Sequence, residues 1–458
     1  MITEALFLIS YLILLPIAVM FPFAGALAYE WLQYMPPGAV YNANEFSNLS
    51  LIMGGLAIGL WAARDRKEMP KPAWLFGIFI TYALWLQITQ LTSIVGPGGV
   101  EFWNRSWKML AFTITLSMMC RTRQRIEAFI WVVCLSIGNF VVIGMIKTVL
   151  SGGGGNTVIG ADGNILGERV SFAVAITTII PLVRYLRDHQ TIFPASKWTK
   201  RGLDFLTFAC VMATVGTQAR TGFVSLGILG VFYFIKAKRK MMFLLMIPIL
   251  IGAIVAVAPE GYFERMNTIG DSTESSSAGR IDSWMWGWNF ALNHPITGGG
   301  YHSFLLHQTG TIDNPQYLEA HNIFFETLGD HGFPGLFLMI IMYLGMIVSS
   351  GAMSKRARRV PELDWAVNLG TMLQLAMWTF VAGSQFISDA TQSMSYELVA
   401  LSLAARGVVE RRLALEPNNL LTPYGSAPKT NATSARPTLT PVPGGVPRPA
   451  VAAGARRA

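Results

Sequence analysis

Long apolar runs separated by short polar stretches cover almost the whole chain. They lie at 49–63, 74–94, 106–120, 125–149, 167–187, 203–218, 221–236, 241–258, 332–352, 365–387 and 393–410, and residues 5–35 hold one or two more, broken near Pro22. An apolar stretch of this kind is what a helix needs to cross the hydrocarbon of a bilayer. The runs lack the alternation of membrane-barrel strands, so the backbone must satisfy itself as helix. The pattern predicts an all-α, polytopic membrane protein with about 12 transmembrane helices and one large helical loop outside the membrane.

The chain accordingly divides into transmembrane helices with short loops over 1–258, the large loop over 259–331, further transmembrane helices over 332–412, and a tail over 413–458. The tail is rich in Pro, Ala, Thr and Gly and is expected to be disordered. Within the loop, Ile281 to Leu292 reads as a helix carrying Trp284, Trp286, Trp288 and Phe290, residues that favour a membrane surface. A turn is expected at His294-Pro295 and Gly298–Gly300. A second helix starts near His321-Asn322, and Gly332 and Pro334 open the next span.

Composition supports this picture: 52 % of the residues are hydrophobic and 13 % charged, with 35 Lys and Arg against 26 Asp and Glu, a net charge of +9. The excess does not gather on a soluble domain, as a nucleic-acid surface would require. It falls in clusters between spans: Arg64, Arg66, Lys67 and Lys71; Arg121, Arg123 and Arg125; Arg184 to Arg201; Lys236, Lys238, Arg239 and Lys240; Lys355 to Arg359; and Arg406 to Arg412. The intervening loops at 95–105, 150–166, 217–220, 259–331 and 388–392 carry few. This asymmetry predicts that the basic loops and the C-terminus face the cytoplasm, and that 259–331 faces the periplasm or exterior. Cys120, Cys134 and Cys210 lie inside apolar runs without metal-ligand spacing, as small buried hydrophobes do. The N-terminus lacks the basic region and cleavage site of a signal peptide and reads as a retained span.

Chemistry is expected on the outer side. Arg220, in Thr217-Gln218-Ala219-Arg220-Thr221-Gly222, stands against the charge bias and reads either as a helix-end anchor or as a functional cation. Arg265 and Arg280 are the cations of 259–331, among Glu260, Glu264, Asp271, Glu274, Asp282, Asp313, Glu319, Glu326 and Asp330. They read either as ion-pair partners of these acids or as phosphate ligands. His321, at a helix start, reads as a cap or as a base for a hydroxyl proton. His294, His302, His307 and His331 are its rivals; His302 follows the glycine turn. No phosphate loop, dinucleotide fingerprint, zinc-hydrolase helix or serine elbow is present, so a donor substrate is expected to come from the membrane.

Gly279-Arg280…Trp284…Trp288, His294-Pro295-Ile296-Thr297-Gly298-Gly299-Gly300 and Ala320-His321-Asn322-Ile323-Phe324-Phe325-Glu326…Gly332…Gly335-Leu336 together resemble the shared domain of the O-antigen ligase and polymerase superfamily. Gln218-Ala219-Arg220-Thr221-Gly222 fits the same pattern. The resemblance implies a GT-C type glycosyltransferase in the bacterial inner membrane that takes a glycan from undecaprenyl pyrophosphate. In the ligase branch it passes the glycan to lipid A–core on the periplasmic side, with inversion and with neither metal ion nor cofactor. It implies His321 as base and Arg220 and Arg280 as the pyrophosphate clamp. Arg265 is a further phosphate-binding candidate, and His302, after the glycine turn, is a candidate for site lining with Asn322, Glu326 and Trp284. A polymerase, a protein O-oligosaccharyltransferase and, outside the enzymes, a lipid-linked sugar transporter are the alternatives. Gly160 to Arg169 lacks the Asp-Asn-Asn-type stretch expected of the exosortase-associated relatives, and Glu168 and Arg169 read either as a pair or as lining of the donor entrance.

Overall fold

The computed structural model describes residues 2–41, 46, 48–150, 157–160, 166–237, 240, 252, 275–311, 314–317, 319–388, 390 and 392–415. The predicted span 241–258 (apart from Gly252), Arg265, the acids Glu260, Glu264, Asp271, Glu274 and Asp313, the Gly152–Gly155 run and the tail from 416 lie outside the described residues.

The helices are α1 Ile2–Met20, α2 Pro22–Tyr34, α3 Pro37–Tyr41, α4 Leu49–Arg64, α5 Ala73–Leu91, α6 Pro97–Met119, α7 Arg123–Leu150, α8 Arg169–His189, α9 Lys197–Gly216, α10 Arg220–Lys236, α11 Ser275–Asn293, α12 Ile323–Ala357, α13 Asp364–Gly383 and α14 Ser393–Ala414. One antiparallel hairpin, β1 Gln308–Thr311 against β2 Asn314–Tyr317, departs from the helical pattern. Ala73–Leu91, Arg123–Leu150, Arg169–His189, Ile323–Ala357 and Pro361–Phe386 are long and apolar enough to cross a membrane, and Glu4–Met20 and Leu49–Arg64 are shorter apolar helices. The protein is a helical membrane protein. Its outer surface carries large apolar side chains such as Leu12, Ile13, Leu84, Leu135 and Val348, an arrangement that lipid tolerates and water does not.

The region 5–35 forms two helices. The break falls at Phe21, and Pro22 begins α2, where a missing N–H costs nothing. Arg64 donates to the Val19 carbonyl at 3.0 Å, and Arg125 stacks over Phe23. The α1–α2 turn therefore belongs with the basic loops.

Those loops meet at one end of the bundle and carry their own counter-ions. Arg121 pairs with Asp65 at 3.1 Å and Glu68 at 2.9 Å, Arg125 with Asp65 at 2.9 Å, Arg411 with Glu68 at 2.8 Å, Arg187 with Asp204 at 2.6 Å and Arg356 with Glu410 at 3.1 Å. At the opposite end the non-basic loops meet. The Ile94 N–H donates to the Gly299 carbonyl, Val158 to Gly216, and His321 to the Ser388 hydroxyl.

α8 is the most enclosed of the spans, packed by α7, α9, α10 and α13. Its position fixes where its first residues, 168–171, emerge. α12 contains a break at Gly332, which adopts φ 68° and ψ −173°. Pro334 has no N–H for the Asp330 carbonyl, and the Phe333 N–H turns away to the Pro295 carbonyl at 3.0 Å. The released carbonyls of Gly329 and Asp330 instead accept the N–H groups of Gly299 and Gly300 at 2.8 and 2.9 Å. A Cβ on Gly298 would stand 2.4 Å from the Gly329 oxygen. The glycine run is thus the surface that lets the α11–α12 turn dock backbone to backbone.

Candidate active site

A cavity of about 430 Å³ opens at the end opposite the basic loops. Its wall is made by Phe102 and Arg105 of α6, Glu168 to Ser171 at the start of α8, Arg280 of α11, His302 and Phe304, Glu319 to His321 and Glu326 at the start of α12, and Phe386 to Ser388 after α13. This volume lies in the range of small-ligand sites.

Several polar wall residues have a local reason for their place. Glu168 caps α8 by accepting the Ser171 N–H at 2.6 Å, which puts Arg169 on the first turn. Glu326 accepts the Ala390 N–H at 3.0 Å and so holds the segment after α13 against α12. Asp330 accepts the backbone N–H groups of His302 and Ser303 at 3.0 and 2.7 Å and the Ser303 hydroxyl at 2.7 Å. That fixes His302 at φ 61° with its ring 4.1 Å from Phe102.

His321 is the most constrained of the group. Its φ is 44°, in the left-handed region that β-carbons disfavour. On one side the Trp284 indole donates to the Ala320 carbonyl at 2.8 Å and its ring stacks on Phe325 at 5.4 Å. On the other, Asn322 caps α12 by accepting the N–H groups of Phe324 and Phe325, and donates to Gln385 at 3.2 Å. The His321 N–H donates to the Ser388 hydroxyl at 3.1 Å, and Nδ1 lies 3.3 Å from that hydroxyl and 3.9 Å from a Glu319 oxygen. Burial pulls the imidazole below its ordinary histidine value. Glu319 opposes the shift, Arg280 adds to it, and Glu168 opposes it more weakly. The ring is therefore neutral at neutral pH, the form that can accept a proton.

The cavity thus gathers seven residues singled out from the sequence: His321, Arg280, His302, Glu326 and Glu319, with Glu168 and Arg169 from the start of α8. Trp284 and Asn322 stand behind the wall and support His321. Arg220 begins α10, which packs on α8, and is not part of the wall. The other histidines have separate settings. His307 stacks on Trp286 at 4.9 Å beside Asp282, His294 stacks on Phe290, and His331 is buried with Nδ1 2.7 Å from the Thr89 hydroxyl. Among the described residues no three His, Cys, Asp or Glu side chains gather as a metal cage.

Residues 205–340 match the family model described as O-antigen ligase. The chain carries an O-antigen ligase-family domain. That domain holds Arg220, Arg280, His302, His321 and Glu326. Residues 2–191 match a family of unknown function (DUF5935), and this stretch supplies Phe102, Arg105, Glu168 and Arg169. Ser388 comes from beyond both matches. The ligase-family domain therefore holds only part of the wall. No curated protein matches the chain.

Arg105 and Ser388 escaped the sequence reading. Arg105 is a cation on the non-basic side, the same signal that drew attention to Arg220, so it was there to be found. Ser388 reaches His321 only through the fold and carries no signal of its own.

Proposed function

We propose that the protein is an O-antigen ligase. It transfers a glycan from undecaprenyl pyrophosphate to a sugar hydroxyl of lipid A–core at the periplasmic face, with inversion and without a metal ion. The observation that carries this reading is the shared cavity, where a neutral histidine stands among Arg105, Arg169 and Arg280.

The chemistry follows from those groups. The acceptor oxygen attacks the anomeric carbon while the bond from that carbon to the pyrophosphate oxygen breaks and its electron pair leaves with the phosphate. Guanidinium groups oppose the charge that develops there. His321 takes the hydroxyl proton, a role worth ~10²–10⁴-fold. In the tautomer that carries its proton on Nδ1, beside the Ser388 hydroxyl, Nε2 keeps a lone pair for the acceptor, and the Glu319 carboxylate stabilises the imidazolium. Arg280 is the part of the clamp chosen from sequence that lines the cavity. Arg105 and Arg169 join it, and Arg220 is assigned a supporting place at the head of α10.

The donor's lipid tail needs an apolar track beside the cavity. Ile281, Met285, Trp288 and Leu292 lie exposed along one face of α11 at helical spacing, and Phe337, Leu344 and Val348 continue the exposed apolar surface on α12. The ring of Trp288 packs on Phe333 where the two helices meet. We assign this face of α11 to the outer leaflet.

A polymerase and a protein O-oligosaccharyltransferase use the same donor chemistry and differ in acceptor. Purified protein mixed with undecaprenyl-pyrophosphate glycan and lipid A–core is expected to yield glycosylated lipid A–core. His321→Ala is expected to lose ~10²-fold or more of the rate. Longer lipid-linked glycan instead would identify a polymerase, and no transfer to any acceptor would leave the transporter reading.

A further inference from the structure

Away from the cavity, two glutamates meet in the interior. Glu30 of α2 and Glu397 of α14 are each 2 % exposed. The Tyr34 hydroxyl lies 3.1 and 3.0 Å from the two Glu397 oxygens, with Ser393 next to it at 3.4 Å. Glu30 stands one helical turn before Tyr34 on the same face of α2, which brings its carboxyl group toward Glu397. Among the described residues no lysine or arginine acts on either of them; Tyr29 and Tyr34 are the other ionisable groups that face the pair.

Two ionised carboxylates brought together repel and cannot satisfy one another, because each is only an acceptor. Burying both charges without a cation would also be prohibitive. One proton must therefore sit between them, and the surroundings say where. The Tyr34 hydroxyl donates to Glu397, which suits a carboxylate. Glu30 has no such donors, and its Oε1 has no hydrogen-bond partner. An orphaned oxygen is tolerable as the carbonyl of a neutral acid and far more costly as half of a buried carboxylate. We propose that Glu30 and Glu397 form a proton-binding dyad in which Glu30 holds the proton and donates it in a hydrogen bond to the Glu397 carboxylate.

The dyad ties the N-terminal region to the C-terminal helix. Tyr396, the neighbour of Glu397, donates to the Ala390 carbonyl at 2.8 Å, and the Ala390 N–H holds Glu326 of the cavity wall. Removing the proton would leave two adjacent buried charges and drive α2 from α14. The proton is thus a structural ligand of the end of the bundle that carries the cavity. Glu397 lies in the first turns of α14 and Glu30 in the last turns of α2. Both are near that end rather than at the bilayer midplane, where a transport pathway would place its ionisable groups.

Infrared spectroscopy of the full-length protein at neutral pH tests this. With ¹³C-glutamate labelling to pick out glutamate signals, the wild type is expected to show the carbonyl stretch of a protonated glutamic acid, shifted in D2O. One such band is expected to vanish in Glu30→Gln and to survive in Glu397→Gln. A band lost in Glu397→Gln but kept in Glu30→Gln would overturn the assignment. Absence of any protonated glutamic acid band in the wild type would overturn it even if neither variant folds.

Discussion

His321 sits in a left-handed backbone between Ala320, whose carbonyl accepts the Trp284 indole, and Asn322, the cap of α12. A residue held in a disfavoured conformation by its neighbours is a candidate for function, and the role proposed for His321 accords with it. Its ionisation gives a prediction with a sign. Because the folded environment lowers its proton affinity, the neutral base persists below the usual histidine value of about 6.5. The rate of transfer should fall as pH drops, with a midpoint under that value. Arg280→Ala removes a cation that disfavours the imidazolium, so the midpoint should move up. Glu319→Gln removes an anion that favours it, so the midpoint should move down. A pH–rate profile of the two variants measures the opposite shifts even though Arg280→Ala also slows turnover; shifts in the same direction would dismiss His321 as the titrating base.

The segment from α11 to α12 works because an interruption in one element is answered by the next. The break at Gly332 frees two carbonyls, and the 298–300 run supplies the N–H groups. A Cβ on Gly332 would lie 2.3 Å from the Ile296 oxygen, and its φ and ψ fall where only glycine is at ease. Gly332→Ala is therefore expected to destabilise the protein by at least ~1–3 kcal/mol. In detergent this should appear as a lower Tm and lost transfer, since the same turn orients His302 and the start of α12. An unchanged Tm would mean that the turn has another way to close. The sequence marked the turn through His294-Pro295 and the three glycines. It did not mark their partners, because backbone groups at 329–330 have no side-chain signature.

Across the whole molecule, charge separates the two ends. Arg121, Arg125, Arg187, Arg356 and Arg411 pair with acids at one end, and the cavity opens at the other. The positive-inside bias assigns the basic end to the cytoplasm. Cysteine labelling tests it, since the native cysteines are buried. Thr92→Cys, exposed at the cavity end, should react with a membrane-impermeant maleimide in spheroplasts. Lys200→Cys, exposed at the basic end, should react only after permeabilisation. The reverse pattern would invert the orientation and remove the periplasmic reading of the cavity.

Period and length are local properties, so the sequence alone determined that the chain is a helical membrane protein and where many of its runs break, and its charge bias supplied the expectation of which end carries the chemistry. The residue types suited to that chemistry were equally legible: His321 beside a helix start, Arg280 before a tryptophan-rich helix. Which of them share a cavity was a matter of tertiary structure, because the wall draws on segments separated by up to hundreds of residues. Arg105 and Arg169 join Arg280 only when α6, α8 and α11 converge, while Arg220, equally prominent in the sequence, is left outside the wall. Glu30 and Glu397 make the same point. Each is an ordinary acid in its own stretch, and only their burial against one another turns two carboxyl groups into a place for a proton.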